Sequence, residues 1–325
     1  MQKAPQQLQH YIFFAHERER IREASFASHP HVQGAQLKYT WRELEPERNK
    51  YSFSAIESDL KLLEAQGKRL FVQLQETSFD ATNRLVPGYL LQDPSFHGGA
   101  NKQYNIEGDD ESKAEIGGWV ARRWDGAVRA RFHKLLQALG TAFDGKIEGI
   151  NLPETSVEFG TSGKLYPSGF TPARYRDAVM SNMTALRRAF PKSVAMQYAN
   201  FMPGEWLPGD NKGYLDSMYA QARRLKLSVG GPDLMPYQKG QLNHAYPRIR
   251  ANAGVAPNGV AVQDGNYAHL NPKTKQAVTV AELTAFAQDS LKVGYLFWCT
   301  EEPYYSQKLL PFLNDLQDRP DPSGA

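Results

Sequence analysis

Short apolar runs recur along this 325-residue chain, and they alternate with stretches whose apolar side chains return every third or fourth position. Runs of the first kind suit strands buried on both faces, and the second pattern suits amphipathic helices. The runs at 11–15, 32–39, 69–75, 147–151, 194–198, 226–230, 259–263 and 294–298 read as eight strands. Helical patterns lie between them: a charged one over 18–28, one from Ser54 to a closing Gly67, and one from about Asp125 with Val128, Phe132, Leu135, Leu136 and Leu139 on one face. Others cover 171–190, 214–225 and 279–292, and a last one ends near Leu316. Ser54 with Glu57, and Thr279 with Glu282, have the spacing of capping boxes. Thr171-Pro172 combines a cap with a proline where no amide hydrogen is needed.

Eight strands alternating with helices in a chain of this length predict an α/β protein, a single (β/α)8 TIM barrel. One segment breaks the rhythm. From Thr77 to about Arg123 the chain is rich in Gly, Asp and Asn, and so long a stretch without clear periodicity reads as a functional insertion after strand three, a lid or substrate wall. The reading gives a flexible tail at 1–9, a barrel domain at 10–316 and a second tail at 317–325.

Composition narrows the function. A net charge of +3 with 22% charged residues offers no like-charge run for nucleic acid or an anionic membrane, and the basic cluster Arg18-Glu19-Arg20-Ile21-Arg22 is interleaved with acid. No apolar run approaches the roughly 18 residues of a membrane span. The single cysteine, Cys299, excludes an internal disulfide framework and reads as an inert buried thiol. Residues 1–7 are polar and carry no secretion signal, while a polysaccharide substrate would favour a secreted or periplasmic setting. The oligomeric state is not legible.

The candidate chemistry lies at the strand ends, which in a barrel form the mouth where ligands bind. Glu76, Glu154, Asp233, Asp264, Glu301 and Glu302 all fall there. Carboxylates from several strands suit glycoside hydrolysis, in which a protonated acid and an ionised partner flank the scissile bond. Glu154 is the expected general acid, Asp264 the expected second carboxylate, and Glu301 its reserve. Trp41, Trp206 and Trp298 could stack on sugar faces. Glu76, Asn200, Asp233, Tyr198, Tyr237 and His16 complete the expected substrate-binding set, whereas Trp119 and Trp124 read as core. The sequence contains no His-Glu-x-x-His, cysteine cluster, Gly-x-Ser-x-Gly elbow or Walker loop, so neither a metal nor an organic cofactor is expected.

Trp41-Arg42-Glu43-Leu44-Glu45-Pro46 with Tyr51-Ser52-Phe53 resembles the second-strand region of the large (β/α)8 glycoside hydrolase clan that includes many β-galactosidases and endoglucanases. Trp124-Asp125 through Ile147-Glu148-Gly149-Ile150 is similar to that clan's third-helix and fourth-strand region, and Phe297-Trp298 to its eighth-strand tryptophan. The resemblance implies a carbohydrate substrate, with Glu154 as acid/base and a nucleophile ending strand seven. Two positions differ from the clan pattern. Asn151 stands three residues before Glu154 rather than directly before it, and strand seven ends in Gln263-Asp264 rather than in glutamate. The competing readings are a catalytically silent carbohydrate-binding barrel, and a lyase working through a tyrosine or histidine base.

Overall fold

A computed structural model describes residues 8–318 of the chain. Its centre is a closed barrel of eight parallel strands, confirming the predicted fold. In chain order the strands are β1 (Gln9–Ala15), β2 (Gly34–Thr40), β3 (Arg69–Gln75), then β4 (Thr77–Ser78), β5 (Ala100–Asn105) and β6 (Glu115–Ala121) outside the barrel, and β7 (Gly149–Leu152), β8 (Val194–Tyr198), β9 (Ser228–Gly231), β10 (Gly259–Val262) and β11 (Tyr295–Cys299). The barrel closes in the order β1-β11-β10-β9-β8-β7-β3-β2. Strands β4, β6 and β5 form a small antiparallel sheet built by the insertion after β3.

The barrel interior is layered. Near its N-terminal end Tyr11, Phe71, Tyr295 and Phe297 pack in edge-to-face and tilted contacts. Glycines on neighbouring strands make room for them: a Cβ on Gly149 would lie 2.7 Å from the Phe71 ring, and one on Gly34 would lie 2.6 Å from Tyr11. Above this layer Gln36 Nε2 donates to Asn151 Oδ1 and to Tyr198 Oη, both at 3.0 Å. Aromatic packing therefore seals one end, while the polar layer begins the floor of the other.

Outside the barrel, the helices Ser54–Ala65, Gly126–Phe143, Pro172–Ala189 and Tyr214–Leu225 present their apolar stripes inward. Thr171 caps its helix as expected, and the Thr279–Glu282 capping box is formed. The Ser54–Glu57 box is not. The helix begins one residue earlier than the pattern implies, with Phe53 at the N-cap, so Ser54 already lies inside the first turn and its hydroxyl caps nothing. A capping box instead joins Thr40 and Glu43, at a four-residue turn leaving β2. The charged helix expected over 18–28 is two short pieces, Arg18–Arg22 and Ala24–Ala27, separated by extended backbone at Glu23. Strand β9 starts two residues later than the apolar pattern suggests, because Lys226 adopts a left-handed conformation that ends the preceding helix.

Of the expected tails, residues 1–7 and 319–325 lie outside the described residues. Leu8 is buried, Gln9 belongs to β1, and residues 315–318 form a helical turn. Among the described residues no helix is long and apolar enough to cross a membrane.

Candidate functional site

Glu154 lies two residues beyond β7, and the loop carrying it is fixed by buried polar groups. Gln197 Nε2 donates to the Pro153 carbonyl at 2.7 Å, and Arg123 donates to the carbonyl of Glu154 at 3.0 Å. The Tyr175 hydroxyl donates to the Thr155 carbonyl at 3.0 Å, and Thr155 Oγ1 donates to the Phe201 carbonyl at 2.7 Å. Four neighbours thus hold three consecutive residues, Pro153 to Thr155, in place, the support a preorganised group requires.

The Glu154 side chain opens into a cavity of about 290 Å³ at the C-terminal mouth of the barrel. Lys38, Gln73, Gln75 and Tyr198 line it from the strands, Gln263 from just beyond β10, and Phe79, Asp80 and Asn83 from the insertion. Asn200 Nδ2 donates to Glu154 Oε2 at 2.6 Å. Burial raises the Glu154 pKa to about 7; the Asn200 hydrogen bond opposes that rise, the Asp233 charge adds to it, and Arg123 and Lys38 oppose it. Desolvation prevails because a carboxylate loses more hydration on burial than one amide hydrogen bond restores.

The expected site residues separate into those at this cavity and those away from it. Tyr198, Asn200 and His16 are at it. Asp233 follows β9 beside Pro232, which also lines the cavity; burial raises its pKa, while Asn266 Nδ2 donates to Oδ1 at 3.1 Å. Asp264 is exposed, and it is its neighbour Gln263 that faces the cavity. Asp264 groups instead with Cys299 and Glu301, their oxygen and sulfur atoms all within 4.8 Å of one another, and Glu301 Oε2 accepts from the Gly265 amide at 2.9 Å. Burial, opposed by a hydrogen bond from the Glu301 backbone and aided by Asp264, pushes the Cys299 thiol up to about 12, so this group offers a neutral thiol rather than a thiolate.

Strand parity explains other placements. In β3, Phe71 packs in the barrel while Gln73 and Gln75 line the cavity, so the next residue, Glu76, points to the helix layer. There it is buried, accepting from Arg123 Nε at 2.6 Å and from Thr77 Oγ1 at 2.7 Å. In β11, Tyr295 and Phe297 face inward, so Trp298 faces outward, fully buried, stacked on Tyr267 and donating from Nε1 to His10 Nδ1 at 3.0 Å. That bond needs an unprotonated Nδ1, and burial holds the His10 pKa down at about 4. Trp41 is also fully buried, donating to Glu45 at 2.9 Å. Of the three tryptophans expected to face sugar, only Trp206 is exposed, stacked face to face on Phe201 with ring centroids 5.6 Å apart. Tyr237 is half-buried, and its hydroxyl accepts from Asn271. Trp298→Ala is therefore expected to cost about 3–5 kcal/mol of stability by opening a cavity. Urea denaturation checks this, and an unchanged midpoint with weakened sugar binding would instead put the indole at the substrate.

Lys38, Gln73, Gln75 and Gln263 are cavity residues that the sequence reading missed. Their signal was present: polar residues alternate with apolar ones at 36, 38 and 40 in β2 and at 73 and 75 in β3, a period-two pattern facing the barrel interior.

No known protein-family model and no curated protein matches the sequence. Solved structures do resemble the fold across nearly all of it. The catalytic domain of β-amylase from Paenibacillus polymyxa aligns over 98% of this chain and 100% of its own, with 8% identity and a TM-score of 0.60. GH5_18 from Streptomyces cattleya, solved in complex with Manb1-4GlcNAc, aligns over 96% of this chain and 82% of its own, with 12% identity and a TM-score of 0.58. Xylanase 10B from Thermotoga petrophila, in complex with xylobiose, covers 92% of this chain and 86% of its own at 11% identity and a TM-score of 0.51. At these identities the likeness is one of fold.

Proposed function

We propose that this chain is a glycoside hydrolase in which Glu154 is the general acid. The observation that carries the reading is a carboxyl group held near neutrality in a cavity at the barrel mouth, on a loop locked by buried hydrogen bonds. A general acid works best when its pKa lies near the working pH, so that it is protonated yet still able to release its proton. Glu154 would protonate the glycosidic oxygen as the bond to the anomeric carbon breaks. The β-amylase, xylanase and GH5_18 neighbours in fold support this reading as analogy.

Asp233 is our choice for the second carboxylate, ahead of Asp264 and Glu301. Its charge acts on Glu154, whereas Asp264 is exposed and Glu301 is engaged by the Gly265 amide. In this role Asp233 acts as an ionised base or nucleophile, and its negative charge helps Glu154 keep its proton. Trp206 and Phe201 supply an aromatic surface for further sugar units.

The test is hydrolysis of a panel of polysaccharides and aryl glycosides by wild type, Asp233→Asn and Asp264→Asn. Asp233→Asn is expected to lose activity by roughly 10²-fold or more, and Asp264→Asn to keep most of it. The reverse order would return the role to Asp264. Retention of sugar without cleavage of any substrate would replace the hydrolase with a binding barrel. Activity is also expected to fall as pH rises through about 7, where Glu154 loses its proton. A pH–rate profile still level well above that value would remove Glu154 from the acid role.

A further inference from the structure

The Glu154 cavity contains a cation that no side chain pairs with directly. Lys38 projects from β2 into the cavity, half-buried, and desolvation lowers its pKa. Among the described residues its ammonium forms no ion pair and no hydrogen bond; its defined neighbour is the Phe13 ring, 5.6 Å from Nζ. The acids that might serve it are committed elsewhere. Glu43 is bound by Arg18 at 2.6 Å, and Asp80 accepts from the amide and hydroxyl of Thr82. Glu154 is the opposing charge that Lys38 feels, and Glu154 must be protonated to act as an acid. In the catalytically competent state Lys38 therefore has no carboxylate paired with it, and a ligand anion is the partner it lacks.

A second group in the cavity also lacks a partner. Gln73 is 3% exposed, lines the cavity, and its Oε1 accepts no hydrogen bond. An oxygen in that state calls for a hydroxyl donor. One small cavity thus offers a lone cation and a lone acceptor, the complement of a ring bearing both an anionic substituent and hydroxyl groups.

Resting on the hydrolase reading of this site, we propose that Lys38 receives the anionic substituent of an acidic sugar, a ring carboxylate or a sulfate ester, while Gln73 accepts from one of its hydroxyls. The substrate is then an acidic glycan. A charge-assisted hydrogen bond in a desolvated site favours the charged sugar over its neutral counterpart by roughly tenfold to a hundredfold.

Calorimetric titration of the full chain tests this with three sets of sugars. These are glucuronate and galacturonate, glucose and galactose carrying a sulfate at the primary carbon, and unmodified glucose and galactose. The expected result is a preference of about tenfold or more for one charged set over the neutral set, and which set wins identifies the anion. Lys38→Met is expected to collapse that ratio, and Lys38→Arg, which keeps the charge, to preserve most of it. Equal binding of charged and neutral sugars, or a ratio unmoved in Lys38→Met, overturns the proposal. If Lys38→Met does not fold, the wild-type ratio and Lys38→Arg still decide. Parallel hydrolysis of aryl hexuronides and aryl hexosides separates this idea from the one beneath it. Cleavage of hexosides with no preference for charge retains the hydrolase and removes the acidic substrate. Selective binding of charged sugars without cleavage supports the Lys38 site and removes the hydrolase.

Discussion

Glu154→Gln is expected to lower kcat on unactivated glycosides by about 10²–10⁴-fold, the range assigned to a positioned general acid. Glutamine preserves the shape and the acceptor for Asn200 Nδ2, which now lies 2.6 Å from Glu154 Oε2, so the loss isolates the proton rather than the fold. The loss should shrink for aryl glycosides with strongly acidic leaving groups, which depart without protonation. Stability should move in a definite direction as well. The folded carboxyl releases its proton near pH 7, against an ordinary value of 4.5, so between those values the folded state binds more protons than the unfolded one. Wild-type stability from this group is therefore fully present below 4.5 and is lost as pH rises through 7. Glutamine has no such titration, so the variant should gain on wild type between about pH 5 and about pH 8. Urea midpoints at the two pH values measure the gain. Equal activity of variant and wild type on a poor leaving group would end the acid assignment.

Arg123→Met is expected to lose about 3–5 kcal/mol of stability. Arg123 and Glu76 are 4% and 2% exposed at their side chains, and the guanidinium also bonds Thr77 Oγ1 and the Tyr175 hydroxyl. Removing the cation strands a carboxylate away from water. Adding Glu76→Gln removes that charge, so the double variant should recover much of the loss, and the coupling energy of the cycle measures the pair. Because Arg123 also holds the Glu154 carbonyl, both Arg123 variants should show reduced kcat. Glu76→Gln alone should leave KM for sugar unchanged. A raised KM would place Glu76 at the substrate and not behind the wall.

Period and punctuation in the sequence determined the barrel. Eight apolar runs separated by amphipathic helices leave few other ways to bury both faces of every strand. They also determined that a carboxylate would follow the fourth barrel strand, because Glu154 stands next to a short run ending at Leu152-Pro153. Strand ends proved the harder inference, since one residue changes the face. Glu76 follows Gln75, Trp298 follows Phe297 and Asp264 follows Gln263; in each pair the first residue faces the interior or the cavity and the second does not. Resolving such a pair requires the register of each strand against its neighbours, which only closure of the barrel sets.

The insertion showed no clear periodicity because β4 is only two residues long, β5 is polar and partly exposed, and β6 is interrupted by Gly117-Gly118, leaving little apolar pattern to read. Tertiary structure also decided the chemistry. Nothing along the chain links Glu154 to Asn200, Asp233, Arg123 or Lys38, yet those side chains, with burial, set its proton affinity. The sequence supplies the carboxyl group; its surroundings in the closed barrel make it an acid near neutral pH, because desolvation and Coulomb interaction depend on distances in space rather than along the chain.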